Sequence, residues 1–445
     1  MKHNVSMLVM FLGLCTGIGA GQTAPAQTPQ ATGASPSAGG RPLTLQEAEA
    51  IAIKKNPQIT VGRLQALESR EFVREARSAM LPQANLSVTA VDSEAGNRIS
   101  AGYLTNPTVY PRAAAGASVS QLITDFGRTQ NLVSGSVFAA KAQDENAIAT
   151  QQQIVLAVDE AFYNTLETKA LLQVAAETVK ARQNLVDQIQ ALTDAKLRSE
   201  IDLSFSKVDL ARARLLQLES QNNYEASLST LSAILAFPDR QDFAVVEPAT
   251  QVAPPAPDPA ALIQEALNQR PEVRALQNDV TAASKFGKAE HDLWWPTISA
   301  NGVVGSAPVR DDHISNWYGA VGVNINIPVF NGFLFNARAK SADLETEMSR
   351  KKLQDLQDNV ARDVRNSWLD TQKAFERLSV TRQLREQAAL ALELATARYK
   401  LGLSSIVEFS QAELQETDAE LQDTDAHYQY VVTQIVLDYQ MGVTR

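Results

Sequence analysis

The chain has one cysteine, Cys15, and four histidines, so neither a disulfide framework nor a Cys/His metal centre can be assembled from it. His3, His291, His313 and His427 lie far apart with no metal-ligand spacing. Basic residues are in deficit, 40 against 50 acids, which excludes the basic face that nucleic acid would need. Beyond the N-terminal segment no apolar run reaches the ~18 residues of a spanning helix. HExxH, GxSxG and the phosphate-cradling P-loop are all missing, and no cysteine nucleophile is available. The expectation is a protein without catalysis, cofactor or metal.

Glycine and proline are also missing where it matters most. Ser136 to Phe237 is a run of 102 residues with neither, and Phe333 to Met441 is a run of 109 broken only by Gly402. Rich in Ala, Leu, Gln, Glu and Arg, both runs predict long helices. Leu185, Ile189 and Leu192, and likewise Leu378, Leu384 and Leu392, fall at coiled-coil-like spacing. Each run has one expected break, at 196–201 and at 402–407. A helix over 128–195 would be roughly 100 Å long. The shorter helices expected over 43–80 and 202–236 match it when laid end to end. The same holds for 333–402 against 258–295 and 405–441. Each half therefore folds as a tall helical hairpin with one continuous and one split strand.

The chain is written twice. Leu81-Pro82 recurs as Trp295-Pro296, Asp125-Phe126-Gly127 as Phe330-Asn331-Gly332, Ser199-x-x-Asp202 as Ser405-x-x-Glu408, and Tyr224 as Tyr430. Landmarks repeated in one order mark an internal duplication. Upstream, Met1-Lys2-His3 followed by the apolar stretch Val5 to Ala20 reads as a secretory signal, so the protein is expected to be exported. Leu14 before Cys15 argues against lipid attachment. The resulting organisation is a signal peptide (1–26), a disordered leader (27–41), a first repeat (42–237) with a strand hairpin at 83–124, a proline-rich linker (238–258), and a second repeat (259–445) with a strand hairpin at 297–327. The linker includes a short strand at Phe243 to Val246.

The strand hairpins carry the second strong signal. Trp317, Gly319, Val321, Val323, Ile325 and Ile327 alternate with Tyr318, Ala320, Gly322, Asn324 and Asn326. Leu86, Val88 and Ala90 alternate with Asn85, Ser87 and Thr89. Period two with one apolar face suits a membrane barrel, apolar outward and polar inward; a soluble sandwich with one wet face has the same pattern. Two hairpins supply only four strands, which cannot close a barrel, and open edges are not tolerated in lipid. A membrane role therefore requires several chains to share one barrel, and a trimer would give twelve strands.

In these features the chain resembles the TolC family of outer-membrane efflux proteins from about Leu43 to Val443. The residues that carry the likeness, twice over, are the proline before the first strand (Pro82, Pro296) and the turn after the second (Asp125-Phe126-Gly127; Pro328-Val329-Phe330-Asn331-Gly332). Tyr399, Gly402 and Glu408 complete it in the second repeat. The resemblance implies a mainly α protein with a membrane β-barrel: a homotrimer with a twelve-stranded barrel in outer-membrane lipid, four strands per chain, and a long α-helical barrel in the periplasm. It implies docking on a periplasmic adaptor (membrane fusion protein) coupled to an inner-membrane pump or ABC-type secretion transporter, the chain being a passive exit duct for efflux or type I secretion.

The resemblance also places function at the helix–helix turns. Adaptor contact falls on Leu401, Gly402, Leu403 and Ser404, and in the first repeat on Lys196, Leu197, Arg198 and Ser199. Lys196 stands where Gly402 does, so the two tips are expected to differ. A periplasmic gate falls on Tyr399, Glu408 and Asp202, while the family's accompanying arginine is replaced by Ser404. Ser199-x-x-Asp202 and Ser405-x-x-Glu408 are also capping boxes, so both acids have a purely structural reading beside the lumenal one. The rivals from other classes are a soluble periplasmic coiled-coil scaffold without a pore and, less well matched, a diffusion porin.

Overall fold

The computed structural model describes residues 41–91, 99–101, 104–106, 112–248, 254–308 and 315–443. The expected signal peptide, Cys15 and the leader up to residue 40 lie outside them, as do His3, His313 and residues 249–253 of the linker.

The first half runs β1 (Arg41–Leu43), α1 (Leu45–Lys55), α2 (Pro57–Ser78), β2 (Gln83–Val91), β3 (Ile99–Ala101), β4 (Leu104–Asn106), β5 (Arg112–Thr124), α3 (Arg128–Asp194), α4 (Glu200–Ile234) and β6 (Phe243–Val245). The second runs α5 (Pro259–Gln269), α6 (Pro271–His291), a 3-10 turn, β7 (Thr297–Ser306), β8 (Trp317–Asn326), α7 (Leu334–Lys400) and α8 (Ile406–Met441). Both continuous helices, α3 and α7, have 67 residues. Among the described residues no helix is long and apolar enough to cross a membrane.

One expectation needs correction in both halves. The helices expected to run unbroken over 43–80 and 258–295 are each interrupted, at Asn56-Pro57 and at Arg270-Pro271. Proline disfavours the helical conformation for the residue before it, and Asn56 and Arg270 are extended (ψ 124° and 125°). Proline is then the first residue of the next helix, where its missing N–H is no loss. Asn56 uses the break: its side chain accepts from the Gln58 amide at 2.9 Å and donates to the Ile234 carbonyl at 3.1 Å. At the second break the Arg270 guanidinium reaches Gln440 at 2.8 Å and Glu272 at 3.2 Å, tying α5–α6 to the end of α8.

The leader boundary shifts as well. Arg41-Pro42-Leu43 forms β1, parallel to β6, with Leu43 opposite Val245 and fully buried. This small sheet closes the largest apolar cluster, which includes Ile59, Val158, Phe162, Leu231, Leu235 and Phe243. Smaller clusters lie where α5 and α6 meet α7 (Ala266, Val273, Val360, Val364) and at the helix tips (Ile189, Tyr399, Ile406, Phe409). The helices form one layer. α3 packs on α1, α2 and α4 on one side and on α6 and α8 on the other; α7 packs beyond α5, α6 and α8. The two sides of the layer are thus α2 with α4, and α7. Both carry exposed apolar residues: Leu64, Phe72, Leu215 and Leu218 on one, Leu344, Met348, Val380 and Leu394 on the other.

The strands form an antiparallel sheet of order β2-β5-β7-β8, in which β5–β7 joins the two halves. β2 and β8 are its edges, and β3 pairs separately with β4.

Candidate functional site

The register sorts the sheet into two chemically distinct faces. Leu86 opposes Ala117, Ala117 opposes Val304, and Ile298 and Ala300 oppose Ile325 and Val323. On the other face Asn85 opposes Ser118, Ser120 opposes Asn301, and Ser299 opposes Asn324. Among the described residues nothing covers the apolar face: Val321 is 92% and Leu86 79% exposed. An uncovered apolar face across four strands, with unpaired edges, is tolerated where lipid and a further chain complete it.

Aromatic side chains gather where the strands meet the helices. Phe126 packs on Trp295 (5.6 Å between centroids), Trp294 on Phe335 (5.5 Å) and Phe330 on Phe333 (5.8 Å). The sharp strand-to-helix turns need left-handed backbone, supplied by Phe126-Gly127 and Gly332-Phe333. Asp125 fixes the first turn by accepting from the Thr129 amide at 2.7 Å. Such a cluster beside an apolar strand face is the composition of a membrane–water boundary. Phe126, Trp295 and Phe330 are landmarks of the repeat in the sequence; their pairing with one another and with Trp294, Phe333 and Phe335 needs the fold.

At the opposite ends of the long helices the two tips have one backbone and two chemistries. Lys196 (φ 60°) and Gly402 (φ 73°) are both left-handed. The Leu197 and Leu403 amides donate to the Leu192 and Arg398 carbonyls at 2.8 Å, closing the same helix-ending turn twice. Lysine there carries a strain of about 1 kcal/mol that glycine avoids. The expected difference between tips is therefore not in the turn; it is in the side chains, Lys196 and Arg198 against Gly402 and Ser404. Leu197, Leu401 and Leu403 are exposed at the apex. Ser199 and Ser405 accept from the Asp202 and Glu408 amides at 3.2 and 3.3 Å. Glu408 then turns to Arg398 of its own hairpin at 3.2 Å.

The link between the tips comes from Arg198, which the family resemblance assigns to adaptor contact. Arg198 reaches across to the second hairpin, donating to the Tyr399 carbonyl at 2.8 Å with its guanidinium 4.2 Å from the centre of the Tyr399 ring. The ring is buried and stacks on Phe409 at 5.2 Å. Burial raises the phenol's pKa, with Arg198 opposing and Asp202 reinforcing the rise. Its hydroxyl makes no hydrogen bond among the described residues. The arginine that lies against Tyr399 therefore comes from the other tip and not from position 404, a contact that no linear motif reveals. Ser404 itself is half-buried at the turn.

Higher up, a second set of polar links joins the hairpins. Arg182 of α3 pairs with Glu413 of α8, both buried, and donates to Thr417 at 3.4 Å. Ser410 of α8 hydrogen-bonds Asp209 of α4. Burial raises the Glu413 carboxyl to about 7 against the attraction of Arg182. α7 and α8 are held together separately by Arg377–Asp425 (2.6 Å) and Arg385–Asp423 (2.8 Å). The remaining histidines serve local contacts, His291 with Asp343 at 3.0 Å and His427 against the Tyr428 ring.

Glu167 of α3 is pushed up to about 7 by burial and by the adjacent Asp425, with Arg377 opposing. Folding therefore favours its protonated form. That contribution is complete below about 4.5, the ordinary value, and is lost as pH rises through about 7. Glu167→Gln should abolish the loss, leaving the variant more stable than the parent at pH 8 by about 1–2 kcal/mol after discounting for partial exposure. Thermal unfolding at pH 5 and pH 8 checks this; equal pH slopes in parent and variant would refute it.

Comparison with known proteins agrees with this geometry. The sequence profile of the family described as "Outer membrane efflux protein" matches residues 50–236 and 262–443. The chain is 24% identical over 381 residues to the probable efflux pump outer membrane protein TtgC of Pseudomonas putida, covering 83% of this chain and 76% of that one. It is 21% identical over 406 residues to the outer membrane protein TolC of Escherichia coli, covering 87% and 80%. The crystal structure of the outer membrane protein VceC of Vibrio cholerae superposes with a TM-score of 0.77 at 18% identity, over 89% of this chain and 96% of that one.

Proposed function

The chain belongs to the outer membrane efflux protein family and is an outer-membrane channel protein with a large periplasmic helical portion, and from this premise we propose that three copies share one barrel and form the exit duct of a tripartite export machine. The observation that carries the reading is the four-stranded sheet with a bare apolar face and two open edges. The repeats 42–237 and 259–445, joined by the linker 238–258, give two long strands each, so β8 of one copy pairs with β2 of the next. The helical layer follows the same head-to-tail rule, the apolar α2/α4 side of one copy meeting α7 of its neighbour. Such unlike surfaces close into a ring.

The helix tips face the periplasm. Leu197 and Leu401 to Ser404 offer a periplasmic adaptor two apolar turns, with Lys196 adding a charge to one of them. The gate lies at Tyr399, Asp202 and Glu408, where Arg198 on Tyr399 is the link between hairpins, and opening is a movement of one hairpin against the other. Energy comes from an inner-membrane pump or secretion transporter, which also selects the cargo. The test is the mass of the detergent-extracted mature protein together with its membrane fraction. A trimer from the outer membrane is the expected result; a soluble periplasmic monomer or dimer would overturn the shared barrel.

A further inference from the structure

We infer that Tyr318, Gly305 and Gly116 form a notch that sets the bore of the barrel, the two glycines letting the one aromatic side chain on the lumenal face of the described strands lie flat against the wall. The inference rests on the shared-barrel reading, since only there does this face line a duct.

The three residues stand in one row. Tyr318 of β8 is directly opposite Gly305 of β7, and Gly305 is directly opposite Gly116 of β5. Tyr318 belongs to the polar face with Asn324 and Asn326, on the side away from the exposed Val321 and Val323. A strand side chain ordinarily stands perpendicular to the sheet, which here would put a phenol into the lumen. Tyr318 instead lies along the row. A Cβ built on Gly305 would fall 2.6 Å from its Oη and 2.7 Å from its Cζ, and one on Gly116 would fall 2.8 Å from the same Oη. Strands are about 4.8 Å apart, so the ring crosses β7 and its hydroxyl reaches β5. Any side chain larger than hydrogen at either glycine removes the space the ring occupies.

The other residues of this row and of the next one on the same face, Ser87, Ala320, Val303, Ser118 and Asn85, are all shorter than tyrosine. Three copies of Tyr318 would meet the lumen at one level. Flat, they leave it open; turned inward, they form a three-membered aromatic constriction. The glycines therefore act on the passage of cargo through Tyr318, as positioning residues.

Gly116→Ala is the sharper probe. Its new methyl meets the movable end of Tyr318 at 2.8 Å, and the Val304 carbonyl only at 3.1 Å. Gly305→Ala also meets the Ala115 carbonyl at 2.8 Å, so it strains the sheet itself. The experiment is electron cryomicroscopy of the extracted protein, reading the open cross-section at residue 318 in the parent, Gly116→Ala, Gly116→Ala with Tyr318→Phe, and Tyr318→Ala. Gly116→Ala should turn the rings inward and lose open cross-section, and the double variant, lacking the clashing hydroxyl, should recover it. Tyr318→Ala should leave the bore nearly as wide as the parent's, because the ring was never in it. Rings that stay flat in Gly116→Ala, a double variant as narrow as the single one, or a large widening in Tyr318→Ala would each overturn the notch. Particles that are not trimers would instead overturn the shared barrel, and the images distinguish the two failures.

Discussion

Replacing Arg198 with alanine should open the tip and raise single-channel conductance in planar bilayers, whereas Tyr399→Phe alone should leave conductance close to the parent value. The contrast follows from which atoms cross the seam. Arg198 contributes a charged hydrogen bond to the Tyr399 carbonyl and a cation over its ring. Together these contribute about 2 kcal/mol per protomer. A change of that size moves the closed-to-open ratio by roughly tenfold or more for each chain. Phenylalanine at 399 keeps the carbonyl, the stacking on Phe409 and a face for the guanidinium; it loses a hydroxyl with no hydrogen bond among the described residues. Glu408→Gln should likewise do little. Its partner Arg398 belongs to the same hairpin and both are about half exposed, so the pair is worth at most about 1 kcal/mol and does not cross the seam. A conductance unchanged in Arg198→Ala, or raised equally in Tyr399→Phe, would take the clamp out of the gate.

That assignment also marks how far the sequence could be read. Residues 136–237 and 333–441 announced their helices because glycine and proline are nearly missing from them, and Trp317 to Ile327 announced its strand by strict alternation. These are local signals with no need of a partner. Tyr399 was reachable through the family resemblance, but its partner was not. Arg198 lies 201 residues away, and nothing in Lys196-Leu197-Arg198 distinguishes an arginine that reaches across from one that faces solvent. The same limit hid β1. Arg41-Pro42-Leu43 is too short to show a pattern and exists because Phe243–Val245 lies beside it. Pro57 and Pro271 were visible, yet a proline can kink a helix or begin a new one, and only the contacts of Asn56 and Arg270 decide between these.

The largest loss of stability should come from Arg182→Met, and it should depend on pH. Arg182 and Glu413 are both buried, so neither charge has water to fall back on. Breaking such a pair from one side leaves a buried carboxylate without its counter-charge, at a cost of about 3–5 kcal/mol. Glu413 has an escape, however, because its carboxyl already sits at about 7 with Arg182 present. Removing the arginine removes the influence that lowers this value, so the variant's carboxyl titrates higher still. As pH rises above about 7 the parent's carboxyl ionises against Arg182 while the variant's has no counter-charge, so the gap between them grows; below that both carboxyls are protonated and most of the gap disappears. Denaturant unfolding of the extracted protein, followed by circular dichroism, should therefore separate parent and variant widely at pH 8 and much less at pH 6. Adding Glu413→Gln to Arg182→Met should erase the pH dependence and recover part of the loss at pH 8. The consequence for opening follows from where the pair lies. α7 and α8 keep their own bridges, Arg377–Asp425 and Arg385–Asp423, and so can move as one body. Arg182–Glu413 joins that body to α3 well above Arg198. A variant that loses it should also make Arg198→Ala more effective, since two links across one seam restrain the same displacement and their effects on conductance would then exceed the sum of the parts. Strict additivity between the two substitutions would mean that the upper pair stabilises the fold without taking part in the gate.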